Sequence, residues 1–324
     1  MVEIDRSICK INGFRRDGTV LERALKVDKM FDIEDRVGVS SFWMPGVSLE
    51  EAINLASAKG FKSFEVVPAD FQGVVGYPYT MTSAGVWLRT CSKERRSNLI
   101  KRLKENFKIV TVHAPHLGVN IASINHGWRE ESIRQYIECI EFARDLGSSI
   151  VTFHPGGKTW GFNQDPKEII QYNIEFGKKA IEYAEEYDMK MGYEVTAPFE
   201  TVREIINGIA SKRFGLNLDL GHAAAFAARG GPSPLKWIEE FKDKIVEVHV
   251  HDFLSDWSCG VGPDAGGAHQ PLGRGNVIDW SDVIKALKDA GFQGPFICEI
   301  LAKDAPSMLE YCIDAKRKIT KYWK

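Results

Sequence analysis

Four residues constrain what this chain can fold into: Glu194, Asp219, His249 and Glu299, each near the C-terminal end of a short apolar, β-branched run. The runs are MKMGYEV (189–195), RFGLNLDL (213–220), KIVEVHVHD (244–252) and PFICEIL (295–301). Each reads as a buried strand, and a carboxylate or imidazole buried there without a partner is costly. Four such groups together imply a shared metal ion. Their placement at one end of successive strands is how a parallel barrel builds a site.

The remaining segments supply the barrel. After a polar leader, residues 1–34, with weak helical character around LERALKVDKMF, strand-like and helix-like segments alternate to the end. RVGVSSF (36–42), KSFEVV, IVTVHA (109–114) and SIVTFH are the first four strands. SLEE at Ser48 is a capping box opening a helix that stops at Gly60. KERRSNLIKRLKENF is the second helix, and Ile133, Tyr136, Ile137, Ile140 and Ala143 mark the buried face of the third. Pro166 lies in the first turn of the fourth. TVREIINGI, SPLKWIEEFKDK, DWSDVIKALKDAG and a last helix striped by Met308, Cys312, Ala315 and Ile319 complete eight strand–helix pairs. The expected fold is α/β: a single-domain (β/α)8 TIM barrel over residues 35–324 with a short N-terminal extension. Long connections follow strands two, three and seven, on the face where loop length serves binding.

Composition permits this fold and narrows the partners. The chain has 324 residues, 44% hydrophobic and 27% charged, enough for one large α/β domain. A formal charge of -2 builds in no general attraction to nucleic acid or anionic membranes. Six cysteines without a CxxC spacing, and a leader without an apolar core, point to a reducing, cytoplasmic setting. No apolar stretch approaches transmembrane length.

Histidines cluster where the four ligands do. His113 and His116 in VTVHAPH, His154 in VTFHPGG, His222 in LDLGHAA and His269 in HQPLGRG join His249 and His251, seven of the chain's 8 histidines, at or just beyond strand ends. His126 is left in the loop after strand three. His251 follows His249 by two residues and faces the same way, which suits an outer-layer, substrate or structural role. Asp252 is set apart with it. Arg274, inside GRG, and Trp43, Trp160 and Trp257 are further substrate-contact candidates, each with a packing or solvated-loop alternative.

The motifs VHAPH, FHPGG, YEV, LDLGHA, VHVHD, HQPLGRGNVIDW and ICEI, in this order and spacing, resemble the xylose isomerase-like barrel superfamily, from Arg36 onward. That superfamily contains sugar isomerases and epimerases of the tagatose 3-epimerase type, inosose dehydratases and isomerases, and the zinc enzyme endonuclease IV. The resemblance implies that Glu194, Asp219, His249 and Glu299 hold one metal and that the two glutamates are its acid/base pair. Aligned instead with endonuclease IV, His113, His154 and Glu194 would hold one zinc, the Glu194, Asp219, His249 and Glu299 set would hold two, and a third zinc would need His222 with an Asp-x-His motif. Here that motif reads Gly267-Ala268-His269, so its aspartate is missing.

Three carboxylates and one imidazole suit Mn2+ first, with Mg2+, Co2+ or Zn2+ as other candidates. Such an ion, chelating a carbonyl and an adjacent hydroxyl, acidifies the C–H between them, and two glutamates on opposite faces can exchange its proton. The expected function is a sugar isomerase or epimerase working by metal-assisted enolisation on a small carbohydrate, with His113, His154, His222, His269, Arg274 and Trp160 around the substrate. The same chemistry admits a lyase, as in inosose dehydratases or the larger subunit of C-glycoside deglycosidases with its small partner subunit. An endonuclease IV-like nuclease and a non-catalytic sugar-binding barrel are the remaining readings. Homo-oligomers are common in the superfamily, and the leader could mediate assembly.

Overall fold

The computed structural model describes residues 31–69, 84–255 and 267–324, together with two short strands, Gln72–Val74 and Thr80–Thr82. The leader helix expected around residues 21–31, and Trp257, therefore lie outside the described residues apart from Phe31.

A one-turn helix, α1 (Ile33–Arg36), leads into β1 (Val37–Ser40), a 3-10 turn (Ser41–Trp43) and α2 (Leu49–Ala58). Then come β2 (Ser63–Val66), a hairpin of β3 (Gln72–Val74) and β4 (Thr80–Thr82), α3 (Lys93–Asn106), β5 (Ile109–His113) and α4 (His126–Leu146). β6 (Ile150–Phe153), α5 (Pro166–Glu186), β7 (Lys190–Glu194), α6 (Phe199–Ile209) and β8 (Phe214–Asp219) follow. α7 (Leu220–Ala227) and α8 (Pro234–Phe241) precede β9 (Ile245–Val250), a hairpin of β10 (Asp252–Leu254) and β11 (Gly267–Gln270), α9 (Trp280–Asp289), β12 (Phe296–Cys298) and α10 (Ala305–Trp323). Strands β1, β2, β5, β6, β7, β8, β9 and β12 pair in parallel in that order, and β12 closes on β1. The eight-stranded barrel is as the sequence implied.

Local chemistry sets the helix starts. Ser48 and Glu51 form the complete capping box at α2. Ser92, Asn125, Asp165, Ser233, Asp279 and Asp304 each accept a first-turn N–H at the helix they open. Gly147, with φ 71°, ends α4 in the left-handed conformation that glycine adopts at little cost.

Aromatic side chains fill the layer between barrel and helices. Phe64 stacks on Phe107 at 4.7 Å, and Phe153 packs against Tyr136 and Phe176 at 5.0 and 5.2 Å. Inside the barrel the alternate residues are polar and buried: Ser40, Glu65, Thr111, Thr152, Asn217 and Glu247. A barrel interior is usually packed with branched aliphatic residues. Here it is a polar layer, in which Thr152 Oγ1 donates to Glu247 and Asn217 Nδ2 to Thr152 Oγ1, with Asn217 and Glu247 two residues before Asp219 and His249 on the same strands.

Three features depart from the sequence expectation. α7 starts at the residue after β8; its sequence LGHAAAFA has no polar face to reveal a period, and Asp219 itself caps it by accepting from His222 N–H at 2.7 Å. β12 stops at Cys298, so Glu299 sits one residue past the strand, its N–H still bonded to Val250 O at 3.1 Å. The connection after β6, residues 154–165, is as long as that after β5, residues 114–125. No helix among the described residues is long and apolar enough to cross a membrane.

Candidate metal centre

At the C-terminal mouth of the barrel, ligand atoms of Glu194, Asp219, His249 and Glu299 all lie within 4.8 Å of one another, and all four residues are buried. β7, β8 and β9 deliver the first three, and the residue after β12 delivers the fourth. His249 Nδ1 faces this cluster, 3.4 Å from Glu299, 3.7 Å from Glu194 and 3.9 Å from Asp219. It is buried with no hydrogen-bond partner. A buried imidazole nitrogen ringed by three carboxylates at these spacings fits a divalent cation.

Histidines surround the carboxylates on both sides. His113 Nε2 and His154 Nε2 approach the same oxygen of Glu194, at 2.7 and 3.0 Å, and His222 Nδ1 lies 3.2 Å from both Glu194 and Asp219. Burial alone would raise the Glu194 carboxyl, but the charge of His154 and hydrogen bonds from His113, His154 and His222 hold it well below the usual carboxylate range. Burial acts likewise on Asp219, and His222 and His251 outweigh it. His249 is pushed up against its own desolvation by Glu299 and Glu65.

The outer groups have defined jobs. His269, left-handed at φ 62°, gives its backbone N–H to His251 Nδ1 at 2.9 Å. That leaves His251 Nε2 as the donor to the Asp219 carboxylate at 3.0 Å. His269 Nδ1 is 2.9 Å from Glu299 O, and its ring stacks on buried Trp43 at 3.8 Å. Asp252 accepts from Phe253 N–H, Gly273 N–H and Trp280 Nε1 at 2.8, 2.7 and 3.0 Å, which makes it the anchor of the turn that carries Arg274. Arg274 is exposed on that turn.

Trp160 stands apart from the ligands, 94% exposed. It rims an open cavity of about 390 Å³ that His116, Asn120, Trp128 and His154 also line. His116 stacks on His154 at 4.6 Å, and burial keeps its imidazole well below the ordinary value. His126 is the first residue of α4 and sits 3.4 Å from Glu130, away from the centre.

Two buried carboxylates close to the centre escaped the sequence reasoning. Glu65 Oε2 lies 3.2 Å from His249 Nε2, and Glu247 Oε2 accepts from Thr152 Oγ1 at 2.6 Å. Burial and the charge of Glu65 push the Glu247 carboxyl up to about 7. The signal was present: stepping back two residues from His249, Asp219 and His154 lands on Glu247, Asn217 and Thr152, one barrel layer below.

The sequence profile of xylose isomerase-like TIM barrels matches residues 53–316. An uncharacterized protein of Methanocaldococcus jannaschii is 26% identical over 288 residues, 85% of this chain and 87% of that protein. A probable endonuclease 4 of Aquifex aeolicus is 27% identical over 220 residues, 63% of this chain and 75% of that protein. The crystal structure of a D-tagatose 3-epimerase-like protein superposes with a TM-score of 0.67 at 25% identity, covering 88% of this chain and 98% of that one. With a closed parallel barrel, a ligand cluster at its C-terminal mouth and a profile match across most of its length, the chain belongs to the xylose isomerase-like TIM barrel family.

Proposed function

We propose that this protein is a divalent-metal-dependent isomerase or epimerase of a small sugar or sugar-like ketone, with Mn2+ as the preferred ion at Glu194, Asp219, His249 and Glu299. The observation that carries this reading is the buried His249 Nδ1, without a hydrogen bond, facing three buried carboxylates delivered by the neighbouring strands β7, β8 and β12, two of them glutamates at the two ends of that arc. When bound, the ion would supply Lewis acidity to a carbonyl and the neighbouring hydroxyl of the substrate.

The protein's own groups account for the proton. Glu194 is held ionised by three histidines, the state a general base requires. His154 and His222 touch it and are themselves 26% and 25% exposed, so a proton taken by Glu194 has a route to solvent. Glu299 flanks the same volume from the far side of His249. Removal by one glutamate and return by the other inverts a carbon; return by the same group to the neighbouring carbon moves the carbonyl. Around them, His251 steadies Asp219, and His269 steadies the Glu299 backbone.

Incubation of candidate ketoses, inososes and 3-oxo-glycosides with the enzyme in D2O tests this reading, with NMR at each carbon. Label at one inverted carbon marks an epimerase, label beside a migrated carbonyl an isomerase, and loss of water or an aglycone a lyase. Glu194→Gln and Glu299→Gln should each lower turnover about 100-fold or more. Normal turnover in both variants would remove the glutamates from the reaction and leave His222 as the candidate base.

One arrangement favours a second reading. His113 and His154 converge on one oxygen of Glu194, the three residues that the endonuclease IV alignment assigns to one zinc of that nuclease. Gly267 stands where that alignment calls for an aspartate, and the chain carries no basic excess. Cleavage of abasic DNA by the metal-loaded protein would establish that activity.

A further inference from the structure

His249 has two faces. Its Nδ1 looks toward Glu194, Asp219 and Glu299, and its Nε2 looks down into the barrel, 3.2 Å from Glu65 Oε2. Glu65 is on β2 and His249 on β9, with β1 and β12 between them, so this contact crosses the barrel interior. Both residues are fully buried. A carboxylate with no exposure and, among the described residues, no lysine or arginine partner needs compensating donors; the imidazole Nε2–H lies 3.2 Å away, and the Ser40 hydroxyl is the neutral donor beside it.

We propose that Glu65 is a positioning residue for the metal centre: by accepting the Nε2–H of His249 it fixes the tautomer whose Nδ1 lone pair faces Asp219, Glu194 and Glu299. The logic is chemical. An imidazole that ligates through Nδ1 carries its proton on Nε2, and a negatively charged acceptor there orients the ring and makes Nδ1 a stronger donor to a cation. Asn217 Nδ2 sits 2.7 Å from the same Nε2 and 3.1 Å from Thr152 Oγ1. Its Oδ1 is buried without a partner, and its Nδ2 also lies 3.4 Å from Glu247 Oε2, so turning the amide to accept from the protonated Nε2 goes with a protonated Glu247, whose carboxyl is pushed up to about 7. Glu247 lies in the same layer, and Glu65 is the carboxylate in direct contact with the ring nitrogen. This inference rests on the proposed metal site and adds a residue that lies outside it.

The test is metal affinity, read independently of turnover. Apo-protein would be titrated with Mn2+ and with Zn2+ against a competing chelator, for the wild type, Glu65→Gln and Glu65→Ala, with thermal melting of each apo-protein alongside. Glu65→Gln keeps the shape and an amide acceptor, and it remains informative if Glu65→Ala does not fold. The expected result is one site in all folded forms, with affinity about 10- to 100-fold weaker in Glu65→Ala and a smaller loss in Glu65→Gln. A purely structural role would lower the apo melting temperature and leave affinity unchanged. Wild-type affinity in both variants overturns the inference and leaves the metal reading intact; a wild type that takes up no metal overturns the reading itself.

Discussion

His251 donates its Nε2–H to the Asp219 carboxylate across 3.0 Å, and it can do so because residue 221 is glycine. A Cβ on residue 221 would lie 1.9 Å from His251 Cε1 and 2.0 Å from Nδ1. The ring cannot simply swing away, since its Nδ1 is held by His269 N–H at 2.9 Å. Gly221→Ala should therefore drive His251 off Asp219. The expected cost is about 1–3 kcal/mol of stability and about 10- to 100-fold in metal affinity. Denaturant unfolding and metal titration check both, and unchanged affinity would show that Asp219 needs no support from His251.

The metal-free protein should lose stability as pH rises. Burial would lower the His113 pKa, yet Glu194 lifts it from 6.5 to about 9, and Asp219 and Glu194 lift His222 against the same burial to about 9. Both folded values exceed the ordinary one, so their contribution is full below about pH 6.5 and disappears as pH passes about 9. Chemical denaturation in chelator across that range should show the decline. A saturating divalent ion should flatten it, because the bound cation takes over the charge compensation of the carboxylates. A flat profile without metal would contradict the assignment of charged imidazoles around Glu194.

His113→Asn with His154→Asn removes both imidazoles from Glu194 and leaves the four-residue cluster intact. Metal stoichiometry should stay near one equivalent, as measured by elemental analysis after dialysis. Loss of further equivalents present in the wild type would mean that His113 and His154 hold an ion of their own and would favour the nuclease-type reading.

The barrel was legible because its strands announce themselves twice: by β-branched runs and by a ligand-type residue at one end, as in YEV and ICEI. The convergence of Glu194, Asp219, His249 and Glu299 followed from that one-sided placement. Glu247 was within reach of the strand alternation, two residues before His249, but Glu65 was not. A single glutamate inside SFEVV reads as a surface position, and only closure of the barrel, which sets β2 across the interior from β9, shows that it meets His249. α7 was hidden for the opposite reason: LGHAAAFA is apolar on nearly every side, with Leu220, Gly221, Ala223, Ala224 and Ala225 buried, so no 3.6-residue period stands out. Asp252 is set apart from the ligand set by sequence, but its own role needs the fold: its oxygens are taken by Gly273 N–H and Trp280 Nε1, partners brought near by the long connection after β9.

The central claim is that Glu194, Asp219, His249 and Glu299 hold one divalent ion on which activity depends. Metal content and turnover of the purified protein, before and after exhaustive chelation and after readdition of Mn2+, test it most directly, with anomalous scattering from loaded crystals to place the ion. The account predicts one equivalent bound among these four residues, activity lost on chelation and restored by the metal. Full activity in metal-free protein, or an ion bound only elsewhere, would contradict it.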